Sequence, residues 1–205
     1  MAVIAQDNFD RADSPTLGAN WTAYSTATSA QIVSNAIENP AANVFCGNWY
    51  NAATWPNDHY SQLIFVAAVL GNDYIIPSVR MNTGTARTSY HFLASGPVPG
   101  TNTALIVRKE VAGVLTNLGT RTATLALGDT MRLDGSGTTL RARQNGNQLG
   151  ADITDSAIAS GVAGLQLFES ILPLTDDIAD NWEGGDFTAA GYTLNRRSRY
   201  QRRYI

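Results

Sequence analysis

Apolar residues recur in short alternating runs along the chain, each bounded by Gly, Asn, Asp or Pro. A period of two puts alternate side chains on one face of a strand, so the pattern predicts antiparallel strands folded into a sandwich or barrel. From Tyr60 to Val66 the alternation gives way to a continuous apolar run, as expected of a central strand. Ser89–Leu93 and Ala104–Arg108 read as further strands, separated by a GPVPG loop whose prolines cannot join a ladder. Between Gly128 and Gly146, Met131 and Leu133 alternate with Arg132, and Asp134-Gly135-Ser136-Gly137 is expected to turn the chain. Leu140 and Ala142 then alternate with Arg141 and Arg143 up to Asn145-Gly146, a type I′ hairpin signal. Leu165 and Leu167 alternate with Gln166 and Phe168 in a later strand. Thr154–Ser160 is the sole helix-like stretch, too short to be more than a turn.

Composition agrees with many strands and tight turns. The 205 residues suffice for one well-buried core; charged residues make up 15%, with a single lysine. One cysteine, Cys46, excludes an intrachain disulfide and a cysteine-rich zinc site, and reads as a small buried apolar residue. No stretch approaches the roughly 18 apolar residues of a membrane span, so no membrane insertion is expected. The opening MAVIAQDNFD lacks a basic region and a long apolar core, which predicts synthesis and assembly in a cytoplasm.

Charge is divided unevenly. All 17 acidic residues precede Asn195 with nine basic ones, whereas five arginines crowd the last ten residues. This predicts a sandwich over 1–190 followed by an arginine-rich docking tail over 191–205.

Three segments carry a resemblance: DNFDRADSPTLGANWT (7–22), the Gly128–Gly146 double hairpin, and SGVAGLQLF with DNWEGGDF within 160–187. Together they resemble the concanavalin A-like lectin/glucanase fold as it occurs in bacteriophage virion proteins. The resemblance implies an all-β, two-sheet antiparallel jelly-roll β-sandwich with its first and last strands adjacent at one edge. It also implies a structural calcium where the terminal strands meet, for which Asp7 and Asp180 are the candidate ligands, with Asp176 and Asp177 nearby. No other cofactor is expected.

Catalysis finds little support in the residues. Glucanases of this superfamily aim two carboxylates into one groove from one strand face, commonly as Glu-x-Asp-x-Glu. That run is absent: the four glutamates are Glu38, Glu110, Glu169 and Glu183, and Glu169, the best of them for a catalytic acid, reads better as an ordinary strand residue. His59 and His91 fall on separate expected strands and read as half-exposed strand residues rather than a metal pair. Nucleophile-elbow, Walker and dinucleotide signatures are missing. The chain is expected not to be an enzyme.

Two segments remain as binding candidates. Trp49, Tyr50 and Trp55 lie in an Asn-rich segment expected to be a loop, where aromatic faces and amides suit a sugar ring or a protein partner, though the tryptophans also suit a cap on the sandwich. In the tail, Arg196, Arg197, Arg199, Tyr200, Arg202, Arg203 and Tyr204 could pair with carboxylates of neighbouring subunits. They could also contact nucleic acid, which the acidic body and the resemblance disfavour. The resulting expectation is a non-catalytic virion structural protein, capsid-decorating or tail-associated. Its partners would be other virion proteins and copies of itself. The alternative is a lectin module recognising a host surface glycan.

Overall fold

The computed structural model describes residues 1–25, 27–66, 74–95, 100, 102–169 and 179–187. Among these residues there is no helix. Strands follow in the order β1 (Val3–Asp7), β2 (Trp21–Ala23), β3 (Gln31–Val33), β4 (Ala36–Glu38), β5 (Val44–Tyr50), β6 (His59–Phe65), β7 (Tyr74–Met81) and β8 (Ser89–Ser95). They continue with β9 (Asn102–Val111), β10 (Val114–Thr124), β11 (Thr130–Ser136), β12 (Thr139–Gln144), β13 (Asn147–Gln148), β14 (Ile153–Thr154), β15 (Val162–Glu169) and β16 (Ala179–Asp186).

The strands form two antiparallel sheets. One runs β13-β12-β11-β6-β16-β4-β3, with β1 added to β16 and β14 to β12; the other runs β10-β9-β8-β7-β15-β5-β2. Their inner faces meet where Leu63, Phe65, Met131, Leu133 and Leu140 of the first face Ile75, Val79, Phe92, Leu105, Val107, Leu165 and Leu167 of the second, all fully or almost fully buried. This is the expected concanavalin A-like jelly-roll sandwich, and β6 is central as its apolar run requires, flanked by β11 and β16. The terminal strands do pair, Asp7 opposite Trp182; β1 has no second partner among the described strands and forms an edge there, while β16 holds β6 on its other side.

Local signals resolve with one shift. Asn145 and Gly146 take φ of 50° and 81°, as a type I′ turn demands. The preceding turn falls later than the Asp-Gly-Ser-Gly motif predicts. Asp134 and Gly135 lie inside β11, opposite Arg141 and Leu140, and the chain reverses around Gly137 at φ 54°. Strand pairing wins over turn propensity here because Asp134, 1% exposed, is clamped by Arg132 and Arg143. Gly135 meanwhile brings the backbone against Val79 and Arg80. The helix-like stretch is instead the short strand β14 followed by irregular chain.

Buried Arg80, at φ 53°, secures one end of the sandwich. Its guanidinium donates to the carbonyls of Asn57, Gly137 and Ile158 at 2.7 to 3.1 Å, joining three loops. Its backbone N–H donates to His59 Nε2 at 3.0 Å while His59 Nδ1 donates to the Pro56 carbonyl, so that imidazole must be neutral. Burial holds it so, lowering its pKa to about 4.

Candidate functional site

Side chains that alternate with the core on the seven-stranded sheet form its outer face, and strand register decides which of them meet. Phe168 of β15 lies opposite Phe45 of β5 and Tyr74 of β7. The three rings form a compact cluster, with centroids 4.7 Å apart for Phe45 and Phe168, 5.5 Å for Phe168 and Tyr74, and 6.5 Å for Phe45 and Tyr74. Clustered half-buried rings offer a small apolar patch of the kind a pyranose C–H face or another flat ligand covers.

Polar side chains adjoin the ring cluster. His91 of β8 is opposite Ser78 of β7 and Arg108 of β9, and Ser89 is opposite Glu110. Gln166 Nε2 lies 3.0 Å from His91 Nε2 and 3.2 Å from Ser78 Oγ, while Ser89 Oγ is 2.6 Å from the same His91 nitrogen. Arg87 Nε donates to Glu110 at 3.0 Å, and the Arg87 guanidinium sits 5.9 Å from the centre of the Phe45 ring. Phe45, Arg87, His91, Arg108, Glu110, Leu115 and Gln166 line a shallow cleft. Tyr24 closes one end: its Cβ stands over Gly47 and its hydroxyl reaches Ser89 Oγ at 3.1 Å. A side chain at Gly47 would collide with Gln166 and Tyr24, which explains the glycine.

The electrostatics of the cleft follow from burial. Desolvation raises the Glu110 carboxyl above its ordinary range against the pull of Arg87 and Arg108. It lowers His91 to about 3, helped by the positive charges of Arg108 and Arg87. His91 is therefore neutral, and its 3.6 Å approach to Glu110 is not an ion pair. Ser89, His91 and Glu110 also do not make a nucleophilic relay. Serine and carboxylate both approach Nε2, whereas a relay puts the acid on the other nitrogen, and Ser89 is fully buried. Among the described residues, Glu110 is the one carboxylate on the outer face of this sheet's strands, where a retaining glycosidase uses two about 5–5.5 Å apart.

The aromatic segment expected to be a loop is largely strand. Trp49 and Tyr50 belong to β5, so they point to opposite faces and cannot share a platform with Trp55. Tyr50 stacks on Trp182 at 5.3 Å and 19°, and Trp55 packs against Trp182 and His59. With Trp21 and Phe9 they fill the end of the core. Trp49 lies on the outer face of β5, opposite Gly164 and Thr22.

Asp7 does not fit a calcium ligand. Its carboxylate accepts from Arg11 Nη1 and Nη2 at 2.7 and 3.1 Å, from Trp21 Nε1 at 2.8 Å and from the Phe9 N–H at 2.9 Å. A metal would have to displace those donors. Asp180 accepts from the backbone N–H and side-chain amide of Asn181. Among the described residues no group of three or more His, Cys, Asp or Glu is placed to hold a metal, and no helix is long and apolar enough to cross a membrane. Asp176, Asp177 and the whole arginine-rich segment, Arg196 to Tyr204, lie outside the described residues.

The chain matches no protein-family model and no curated protein. Solved structures do share its fold. The carbohydrate recognition domain of Emp47p superimposes with a TM-score of 0.61 at 9% identity, over 90% of this chain and 97% of that one. The carbohydrate-binding module CBM66 from Bacillus subtilis gives 0.59 at 10% identity, over 83% and 95%. A Bacillus licheniformis beta-glucanase gives 0.54 at 14% identity, over 89% and 97%. These likenesses establish the concanavalin A-like jelly roll; at such identities they establish nothing finer.

Proposed function

We propose that the protein is a non-catalytic carbohydrate-binding module that takes a glycan on the outer face of its seven-stranded sheet. The observation that carries this reading is the ring cluster Phe45, Phe168 and Tyr74 beside the guanidiniums of Arg87 and Arg108. Rings supply apolar contact to a sugar face, and the partly exposed guanidiniums of Arg87 and Arg108 can donate to its oxygens, while Glu110 and Gln166, each 2% exposed, are buried and hold the cluster in place. Similarity to a carbohydrate recognition domain and to a carbohydrate-binding module supports it. The glucanase shares the fold, but the single carboxylate on this face favours binding over hydrolysis. A virion setting, which rests on the resemblance alone, and docking through the arginine-rich segment, which rests on the charge pattern, find no support among these neighbours.

The test is calorimetric titration against a panel of plant, bacterial and host oligosaccharides. Binding to at least one saccharide, abolished in Phe168→Ala with its melting temperature largely kept, supports the reading. A blank panel, or binding indifferent to Phe168→Ala, overturns it.

A further inference from the structure

The cleft holds two guanidiniums and one carboxylate, and they are not matched evenly. Arg87 takes Glu110 at 3.0 Å, and His91 contributes no charge. Arg108 forms no ion pair among the described residues, and its Nε is buried without an acceptor. Desolvation lowers its pKa against the weaker attraction of Tyr74 and Glu110. Buried donors without partners are rare in folded proteins and call for an explanation. Arg108 stands on β9 and lines the cleft with Glu110 of its own strand.

We infer that the cleft is built for a saccharide carrying an oxyanion, a carboxylate or sulfate on the sugar, which Arg108 binds while the sugar ring lies on Phe45 and Phe168. This rests on the reading of the same face as a glycan site. A neutral hydroxyl could accept the Nε proton but would leave Arg108 without an ion-pair partner. An oxyanion answers both, with the paired geometry that guanidinium groups give to planar anions. Glu110 does not oppose this, since Arg87 already neutralises it.

The test compares, on the full chain, oligogalacturonate with the same oligosaccharide after reduction of its carboxyl groups, and a sulfated galactan oligosaccharide with its desulfated form. The expected result is a loss of affinity on the order of tenfold or more when the anion is removed, as one charge-assisted contact provides. Arg108→Gln should erase that preference and Arg108→Lys should keep part of it. Preference within the uronate pair identifies a carboxylate ligand, and within the galactan pair a sulfate. Equal affinity for charged and neutral forms, or a preference that survives Arg108→Gln, overturns the inference while leaving the glycan site standing. Absence of binding to any saccharide overturns the site itself. The wild-type comparisons decide the matter even if an Arg108 variant does not fold.

Discussion

Replacing Asp7 by alanine separates two accounts of the place where the terminal strands meet. In the structure Asp7 is an acceptor for four donors, and two of these, Trp21 Nε1 and the Phe9 N–H, sit in the core end, where Trp21 is 6% and Phe9 0% exposed. Alanine leaves both without an acceptor, at about 1–3 kcal/mol each. Arg11 is partly exposed, so losing its pair adds only about 0–1 kcal/mol. Phe9 also adopts φ 49°, a costly conformation for a side-chain-bearing residue that the Asp7 bond helps to hold. The expected loss is about 2–7 kcal/mol, or roughly 4–28 °C in melting temperature for a domain of this size. Urea unfolding and calorimetry, each with and without EDTA, read it. Chelation should leave the wild type unchanged. A loss below about 1 kcal/mol refutes the hydrogen-bond account, and a wild-type melting temperature that falls with EDTA restores Asp7 as a calcium ligand.

Other outcomes follow from the packing and the buried imidazoles. Gly164→Ala would put a Cβ 2.2 Å from the Asn48 carbonyl oxygen and 2.8 Å from Trp49 Cα, both backbone, so the urea midpoint should fall by the equivalent of about 2 kcal/mol or more; an unchanged midpoint contradicts that contact. Trp182→Ala empties a site packed by Trp21, Tyr50 and Trp55 and should cost about 3–5 kcal/mol and most of the near-ultraviolet circular dichroism. His59 and His91 are held neutral at about 4 and 3 against 6.5 when unfolded. The unfolded chain therefore binds more protons between those values. Stability is full above pH 6.5 and falls as pH drops towards 4, each histidine contributing up to about 1.4 kcal/mol per pH unit. Glu110, pushed up by desolvation, acts in the opposite sense, and His59 remains in the variant, so His91→Gln should flatten the fall rather than remove it; an identical slope in that variant refutes the buried neutral imidazole.

Much of the sandwich is legible in the sequence because a period of two is a local property. The alternation of Leu165 and Leu167 with Gln166 and Phe168 is the inner and outer face of β15, and Asn145-Gly146 is the turn it announces. The site is a matter of register, which local pattern does not contain. Ser89 and His91 alternate with Tyr90, and Arg108 and Glu110 with Lys109, so their sharing of a face within each strand is visible. That these faces adjoin Gln166 and Phe168 follows only from the pairing of β7, β8, β9 and β15. Aromatic density misleads for the same reason. Tyr50 and Trp55 look like a binding surface until Trp21 and Trp182, distant in sequence, arrive against them. The carboxylate of Asp7 looks like a metal ligand until Arg11 and Trp21 occupy it.

The outer face of the seven-stranded sheet as a glycan site is tested most directly by nuclear magnetic resonance of the ¹⁵N-labelled full chain titrated with a saccharide that binds. The account predicts saturable shifts centred on Phe45, Arg108, Gln166 and Phe168, with the Tyr50, Trp55 and Trp182 core end unmoved. Shifts confined to another surface, the arginine-rich segment included, or none with any saccharide, contradict it.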